Sequence, residues 1–313
     1  MAATLFQPIS HVGLTDFRSD LDLSPEQLSL LLDLTQQVKQ SRQRYGSALK
    51  GRSVALLFEK PSLRTRMTFE LAIKQLGGDA VVQTGLIGDR EPLKDVARNL
   101  DRWTDAIVAR TFSQQTVDDL AAWSRVPVIN ALSDLYHPCQ ALADLYTLKE
   151  QFGRLKGLKL AYIGDGNNVA QSLLLDCARL GINISVATPK GYEPEAGIVA
   201  QARTFAAQFG AEIEITNNAE NAVVAANAVY TDVWASMGQE TEAADRKALF
   251  ADYQVDATLM GEARRDAVFM HCLPAKRGQE VTDEVIESVQ SVVFEQAENR
   301  LHTQKALLLS VLQ

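Results

Sequence analysis

The sequence predicts an α/β protein of two doubly wound domains, each a parallel sheet flanked by helices, joined by inter-domain helices. Three observations predict it. At 313 residues, the chain is about twice the length of a typical single domain, so two cores are expected. Short β-branched or apolar runs alternate with helical patterns, a cadence of βα units that places parallel strands under helices on both faces. Near residue 150 one amphipathic helix interrupts the cadence, which then resumes, so the chain divides into two α/β halves without sequence self-similarity between them.

Ser24-Pro25-Glu26 opens the first long helix with an N-cap serine and a proline at the first helical position. Leu28, Leu31, Leu32 and Val38 carry its apolar face toward Gly46. Strands are expected at 54–58, 80–82, 106–109 and 126–129, with helical stretches near 64–75, 92–103 and 117–123 between them. Pro138 starts an amphipathic helix through Leu142, Leu145 and Leu148 to Gly153. The second series of strands reads 160–163, 184–187, 212–215, 229–232 and 268–271. A last helix, 295–312, follows the second sheet. The expected domains are 1–150, with the C-terminal segment 295–313 packing back on it, and 151–294.

The net charge of −8 argues against nucleic acid or an anionic membrane as partner, because both reward a basic surface. The first residues, from Met1 to Pro8, carry no basic and apolar signal pattern, and no apolar run reaches membrane-spanning length, so a cytoplasmic location is expected. Cys139, Cys177 and Cys272 cannot all pair, and His11, His137, His271 and His302 lack the spacing of a helical metal pair. Neither a disulfide framework, a metal site nor a cofactor is expected.

In open α/β sheets, ligands sit at the carboxyl ends of strands, so each motif is judged by whether it follows one. The first strand runs into Glu59-Lys60-Pro61-Ser62-Leu63-Arg64-Thr65-Arg66, where a helix starts at once. Pro61 stops the strand and Ser62 is a good N-cap. The free N–H groups of such a turn, with hydroxyls and an arginine beside them, bind anions; on spacing alone the segment reads equally as a capped surface helix with solvated arginines. His137-Pro138-Cys139-Gln140 follows the fourth strand; a histidine there can donate to a developing oxyanion and Gln140 can fix an amide, or His137 is structural. Gly164-Asp165-Gly166-Asn167-Asn168-Val169 has the position of a dinucleotide loop, but the third glycine is Val169 and no acidic residue ends the next strand. Asp232, after another strand, can pair with an ammonium group, and Cys272 is by default a small buried hydrophobe.

The segment from Phe58 to Arg66 resembles the phosphate loop, Ser-Thr-Arg-Thr-Arg, of the aspartate/ornithine carbamoyltransferase family, with Leu63 in place of the first threonine. His137-Pro138-Cys139-Gln140 resembles the family's carbamoyl-contacting His-Pro-x-Gln, and Arg110 and Arg300 are similar to arginines that it places on the same ligand. Asp232-Val233-Trp234-Ala235-Ser236-Met237-Gly238 looks like the signature of its ornithine-type members, and so does His271-Cys272-Leu273-Pro274. Asn168 matches the residue that meets the ornithine carboxylate, and the segment 85–92, bearing Leu86, matches a loop that reaches a neighbouring subunit's site.

The resemblance implies that Ser62, Leu63, Arg64, Thr65, Arg110, His137, Gln140, Cys272, Leu273 and Arg300 hold carbamoyl phosphate. It implies that Asn168, Asp232, Ser236 and Met237 hold ornithine, and that Arg64, Arg110, His137, Asp232 and Cys272 carry the chemistry. The implied reaction gives citrulline and phosphate in a homotrimer with sites near subunit boundaries. Acceptors such as N-acetylornithine, N-succinylornithine or putrescine remain open, as does, from another class, an NAD-dependent oxidoreductase.

Overall fold

The computed structural model describes residues 12–41, 43–235 and 240–313. The first half runs α1 (Pro25–Gln40), β1 (Ser53–Phe58), α2 (Arg64–Gln75), β2 (Asp79–Thr84), α3 (Leu93–Trp103), β3 (Ala106–Arg110), α4 (Gln114–Trp123), β4 (Val128–Leu132) and α5 (Pro138–Phe152). The second half opens with β5 (Lys159–Ile163), α6 (Asn168–Arg179), β6 (Asn183–Ala187), α7 (Ala196–Phe209), β7 (Ile213–Thr216), α8 (Ala219–Val223) and β8 (Ala228–Thr231). It closes with α9 (Ala243–Leu249), α10 (Ala257–Glu262), β9 (Val268–His271), α11 (Asp283–Ile286) and α12 (Val293–Leu312).

Several boundaries differ from expectation by one to a few residues, and two of them have clear local reasons. Helix α1 stops at Gln40 instead of continuing toward Gly46, because Ser41 (φ −130°, ψ 61°) leaves the helical region. Strand β4 starts at Val128, two residues late, since Pro127 has no N–H for a ladder and offers only its carbonyl, to Ile107 at 2.9 Å.

Both sheets are wholly parallel, in the orders β2-β1-β3-β4 and β7-β6-β5-β8-β9, as the doubly wound reading requires. Strand order reverses between β1 and β3 in one sheet and between β5 and β8 in the other. Loops leaving those pairs diverge to opposite faces, and each reversal therefore opens a crevice at the carboxyl ends of its strands. Strands β1 and β3 are buried almost throughout, whereas β2 is an exposed edge.

Helices α5 and α12 tie the halves together. Every residue of α5 from Pro138 to Leu148 is buried, the mark of a helix surrounded by protein rather than lying on a surface. Helix α12 packs against α5, α1 and α2, and one apolar core continues from Val54 and Phe69 through Leu142 and Leu307 to Leu173 and Tyr230. The opposite face of each sheet has its own smaller core. Within this apolar joint lie Gln140, Asp144, Gln296 and Arg300, all buried. Groups so placed need partners, and those partners define the site.

Candidate active site

The loop that resembles the family's phosphate loop begins where β1 ends. Phe58 lies in register with Arg110, the last residue of β3, so the two strand ends deliver the loop and the arginine to one place. The Glu59 carboxylate accepts from the amides of Ile87 (2.9 Å) and Phe112 (2.8 Å) and pins the neighbouring loops to the strand end. Ser62 is not the N-cap expected of it. Leu63 takes the cap position with helical dihedrals (φ −77°, ψ −62°), and no side chain caps the first turn of α2. Its amides and the positive end of the helix dipole are thus left for an anion. The Leu63 side chain is 67% exposed, which leaves its backbone N–H as the group it can offer.

Three guanidinium groups converge on this turn. Arg110 Nη1 makes only long contacts with Ser62 Oγ (3.4 Å) and Thr65 Oγ1 (3.5 Å), while Arg300 Nη2 donates to Thr65 Oγ1 and Nη1 donates to Gln140 Oε1 at 2.7 Å. Burial lowers the pKa of all three, and repulsion by neighbouring guanidinium groups adds to it for Arg110 and Arg300; Arg110 falls to about 10, first by burial and then by Arg300. At about 10 Arg110 stays charged at neutral pH, as guanidinium groups do in proteins. Among the described residues none forms an ion pair, and Nε of both Arg110 and Arg300 is buried without a hydrogen-bond partner. Buried cations without counter-charge are costly and strongly favour an anion among them. Arg66, by contrast, is exposed and paired with Glu70 at 2.7 Å.

His137 sits at the start of α5, where its amide donates to Ser172 Oγ at 3.0 Å. Its ring is buried with Nδ1 unpartnered. Burial, then the charges of Arg300 and Arg110, hold its pKa well below the ordinary value, so the imidazole is neutral and can act as a hydrogen-bond donor. One turn on, Gln140 Nε2 donates to Asp144 Oδ1 at 2.7 Å.

The second half supplies the facing wall. At the end of β8, Asp232 Oδ1 accepts from the Cys272 thiol (2.9 Å) and the Val233 amide (2.8 Å), and Oδ2 accepts from Asn167 Nδ2 (2.9 Å). Burial, and then Asp232, push the Cys272 thiol well above its ordinary pKa; it is a protonated donor, not a thiolate. The Asp232 carboxylate also attracts Arg64 across the crevice. Leu273 holds a positive φ of 56°, rare for a branched residue and frequent at functional sites, while its amide donates to His271 Nδ1 at 2.8 Å. His271 Nε2 faces Glu280 at 3.1 Å, so both ring nitrogens are engaged. Asp232, His271 and Cys272 bring possible ligand atoms within 4.8 Å of one another, but the engaged histidine makes them a poor metal set. Asn168 Nδ2 is bound to the Ser133 carbonyl at 2.6 Å, joining the halves. Ser236 and Met237 lie outside the described residues.

The glycine turn after β5 has a structural purpose. A Cβ on Gly166 would come within 2.3 Å of Pro194 N, so this glycine admits the backbone of a neighbouring loop rather than a pyrophosphate.

Sequence reasoning missed Asp144, Gln296, Ser172 and Asn167. Asp144 had a signal, an acidic residue inside the apolar run 141–145 and one turn beyond Gln140; the others become visible only through contacts between the halves.

Comparison with known proteins accords with this geometry. Residues 15–150 match the family model of the aspartate/ornithine carbamoyltransferase carbamoyl-P binding domain, and residues 156–311 match that of the Asp/Orn binding domain. An ornithine carbamoyltransferase of Thermus thermophilus is 52% identical over 292 residues, covering 92% of this chain and 93% of the relative. The structure of ornithine carbamoyltransferase from Pyrococcus furiosus superposes with a TM-score of 0.93 at 45% identity, over 96% of this chain and 97% of that one. Acetylornithine transcarbamylase complexed with acetylcitrulline superposes with a TM-score of 0.87 at 32% identity, over 96% of this chain and 100% of its own.

Proposed function

Because the chain belongs to the aspartate/ornithine carbamoyltransferase family, we propose that it transfers the carbamoyl group of carbamoyl phosphate to the δ-amine of L-ornithine, giving L-citrulline and phosphate. The observation that carries this reading is the opposition of two charge environments. Arg64, Arg110 and Arg300 form an unpaired cationic cluster on one side of the crevice, and Asp232 with Cys272 faces it.

In this reading residues 1–150, with the segment 295–313, bind carbamoyl phosphate, and 151–294 bind ornithine. Ser62, Thr65, Arg64, Arg110 and the amide of Leu63 take the phosphate; His137, Arg110, Arg300, Gln140 and the backbone of Cys272 and Leu273 take the carbamoyl group. Asp232 and Cys272 orient the amine, and Asn168, Ser236 and Met237 take the amino-acid end. The attacking nitrogen must be neutral, although an alkylamine titrates near pH 10 in water. Its lone pair attacks the carbamoyl carbon, the C–O bond to phosphate breaks, and the departing phosphate accepts the amine proton. Holding both ligands in attack geometry and stabilising oxyanion charge with Arg64, Arg110 and neutral His137 lower the barrier.

A free α-ammonium gives Asp232 a cationic partner that an acylated amine lacks. Higher identity to ornithine than to acetylornithine enzymes among the relatives described supports the same choice. Carbamoyl phosphate supplied with ornithine, N-acetylornithine, N-succinylornithine or putrescine tests it: ornithine should react with the highest kcat/KM, and turnover of only another amine would overturn the assignment.

A homotrimer is part of the proposal. Leu63, Met67 and Leu71 form an exposed apolar stripe along α2, next to the exposed edge strand β2, a surface that a second copy would cover. No helix among the described residues is long and apolar enough to cross a membrane, and we assign the enzyme to the cytoplasm.

A further inference from the structure

We propose that Asp144 is a positioning residue that makes this site select a carbamoyl over an acyl phosphate, by fixing which end of the Gln140 amide faces the transferred group. The inference rests on the reading of Gln140 as a ligand of the carbamoyl group.

Asp144 lies one helical turn after Gln140 on α5, a spacing that stacks side chains on one face, and both are completely buried. Its Oδ1 accepts from Gln140 Nε2 at 2.7 Å and from Gln296 Nε2 at 2.6 Å. The opposite end of the Gln140 amide, Oε1, accepts from Arg300 Nη1 at 2.7 Å.

The two ends of an amide are nearly the same shape, so partners decide which end faces where. A guanidinium can only donate, and Arg300 therefore demands the Gln140 oxygen. The Asp144 oxygen accepts, and therefore demands the Gln140 NH2. The two demands agree, and the reversed orientation would set like poles against each other at both ends. Burial raises the Asp144 carboxyl to about 7, but neither glutamine meets Oδ2, so a proton there leaves Oδ1 accepting. Gln296 ties the arrangement to the second half, since its Oε1 accepts from the His271 amide at 3.0 Å, next to Cys272.

Gln140 Oε1 has a second lone pair after binding Arg300, whereas its NH2 is directed to Asp144. The end left for the transferred group is thus an acceptor. A carbamoyl NH2 can donate to it; an acetyl methyl of the same size cannot, and a buried acceptor then loses its partner.

The test compares KM for carbamoyl phosphate with the inhibition constant of acetyl phosphate, using inorganic phosphate inhibition as the control for an intact anion site. In Asp144→Leu and Asp144→Ala, which remove the acceptor and fill the space differently, the preference for carbamoyl phosphate should fall about tenfold while phosphate inhibition is kept. Asp144→Asn retains an acceptor oxygen and should stay within about threefold of wild type. A leucine or alanine variant that binds phosphate yet keeps the wild-type preference overturns the proposal, as does an equal fall in Asp144→Asn. Loss of phosphate inhibition in both truncations, with Asp144→Asn intact, would make Asp144 a folding residue and overturn it too. Wild-type protein that carbamoylates no amine refutes the underlying site reading instead, a result independent of the ratio.

Discussion

Arg64 is half-buried at the first turn of α2, and the carboxylate that attracts it, Asp232, lies across the crevice. In the proposed reaction it meets charge that develops on the ligand, and Arg64→Ala should lower kcat by about 10²–10³-fold, as removal of one oxyanion donor does. Steady-state kinetics check this; near-normal turnover would remove Arg64 from the site. Cys272 gives the opposite expectation. Because its thiol is held protonated by burial and Asp232, alkylation by iodoacetamide near pH 8 should be far slower than for an ordinary exposed cysteine, whose pKa is about 8.5. Rapid inactivation would mean a thiolate. At this scale the sequence singled out Arg64 and His137 by the motifs that hold them, and Arg110 only by the family resemblance. Asp144 showed only as an acidic residue in an apolar run, because its meaning depends on Gln296 and Arg300, more than 150 residues away in the chain.

The proposed phosphate loop and the helix after it form a single continuous element. Its boundaries were readable from Pro61 and the apolar rhythm beyond it, but its cap was not: nothing in Ser62-Leu63 tells which residue first turns helical. The structure assigns that place to Leu63, with an exposed side chain and φ of −77°. The threonine-to-leucine departure therefore removes a hydroxyl without removing the N–H. Proline shares this φ and lacks only the N–H. Leu63→Pro should raise the inhibition constant of inorganic phosphate about 10-fold or more, the worth of a hydrogen bond to an anion, whereas Leu63→Ala should change it less than about twofold. Equal values for both variants would show that the amide makes no contact.

For the whole molecule, the shared core through α5 and α12 predicts one cooperative unfolding transition, with fluorescence and far-UV dichroism coinciding; two separated transitions would mean that the halves fold independently. Buried carboxyls add a pH dependence of defined sign. Burial raises Asp144 to about 7 and Asp165 to about 6, so the folded state holds these protons more tightly than the unfolded chain. Their contribution is fully present below about pH 4 and is lost as pH rises through the folded values. Asp144→Asn, neutral throughout, should flatten the fall in Tm between about pH 5 and pH 8; an unchanged slope would place the titration elsewhere. Two-domain architecture was legible because βα periodicity is local. The closure of the site by Arg300, which reaches Thr65 from a helix at the far end of the chain, was expected only from the family resemblance, because no local pattern carries it. In the proposed reaction the carbamoyl group passes directly between ligands held by the two halves. Carbon-13 NMR of the protein with ¹³C-carbamoyl phosphate and ornithine tests it most directly: label should appear in citrulline, equimolar with phosphate released, and none on the protein. Absence of labelled citrulline, or a carbamoylated Cys272 formed on the way to it, would contradict the account.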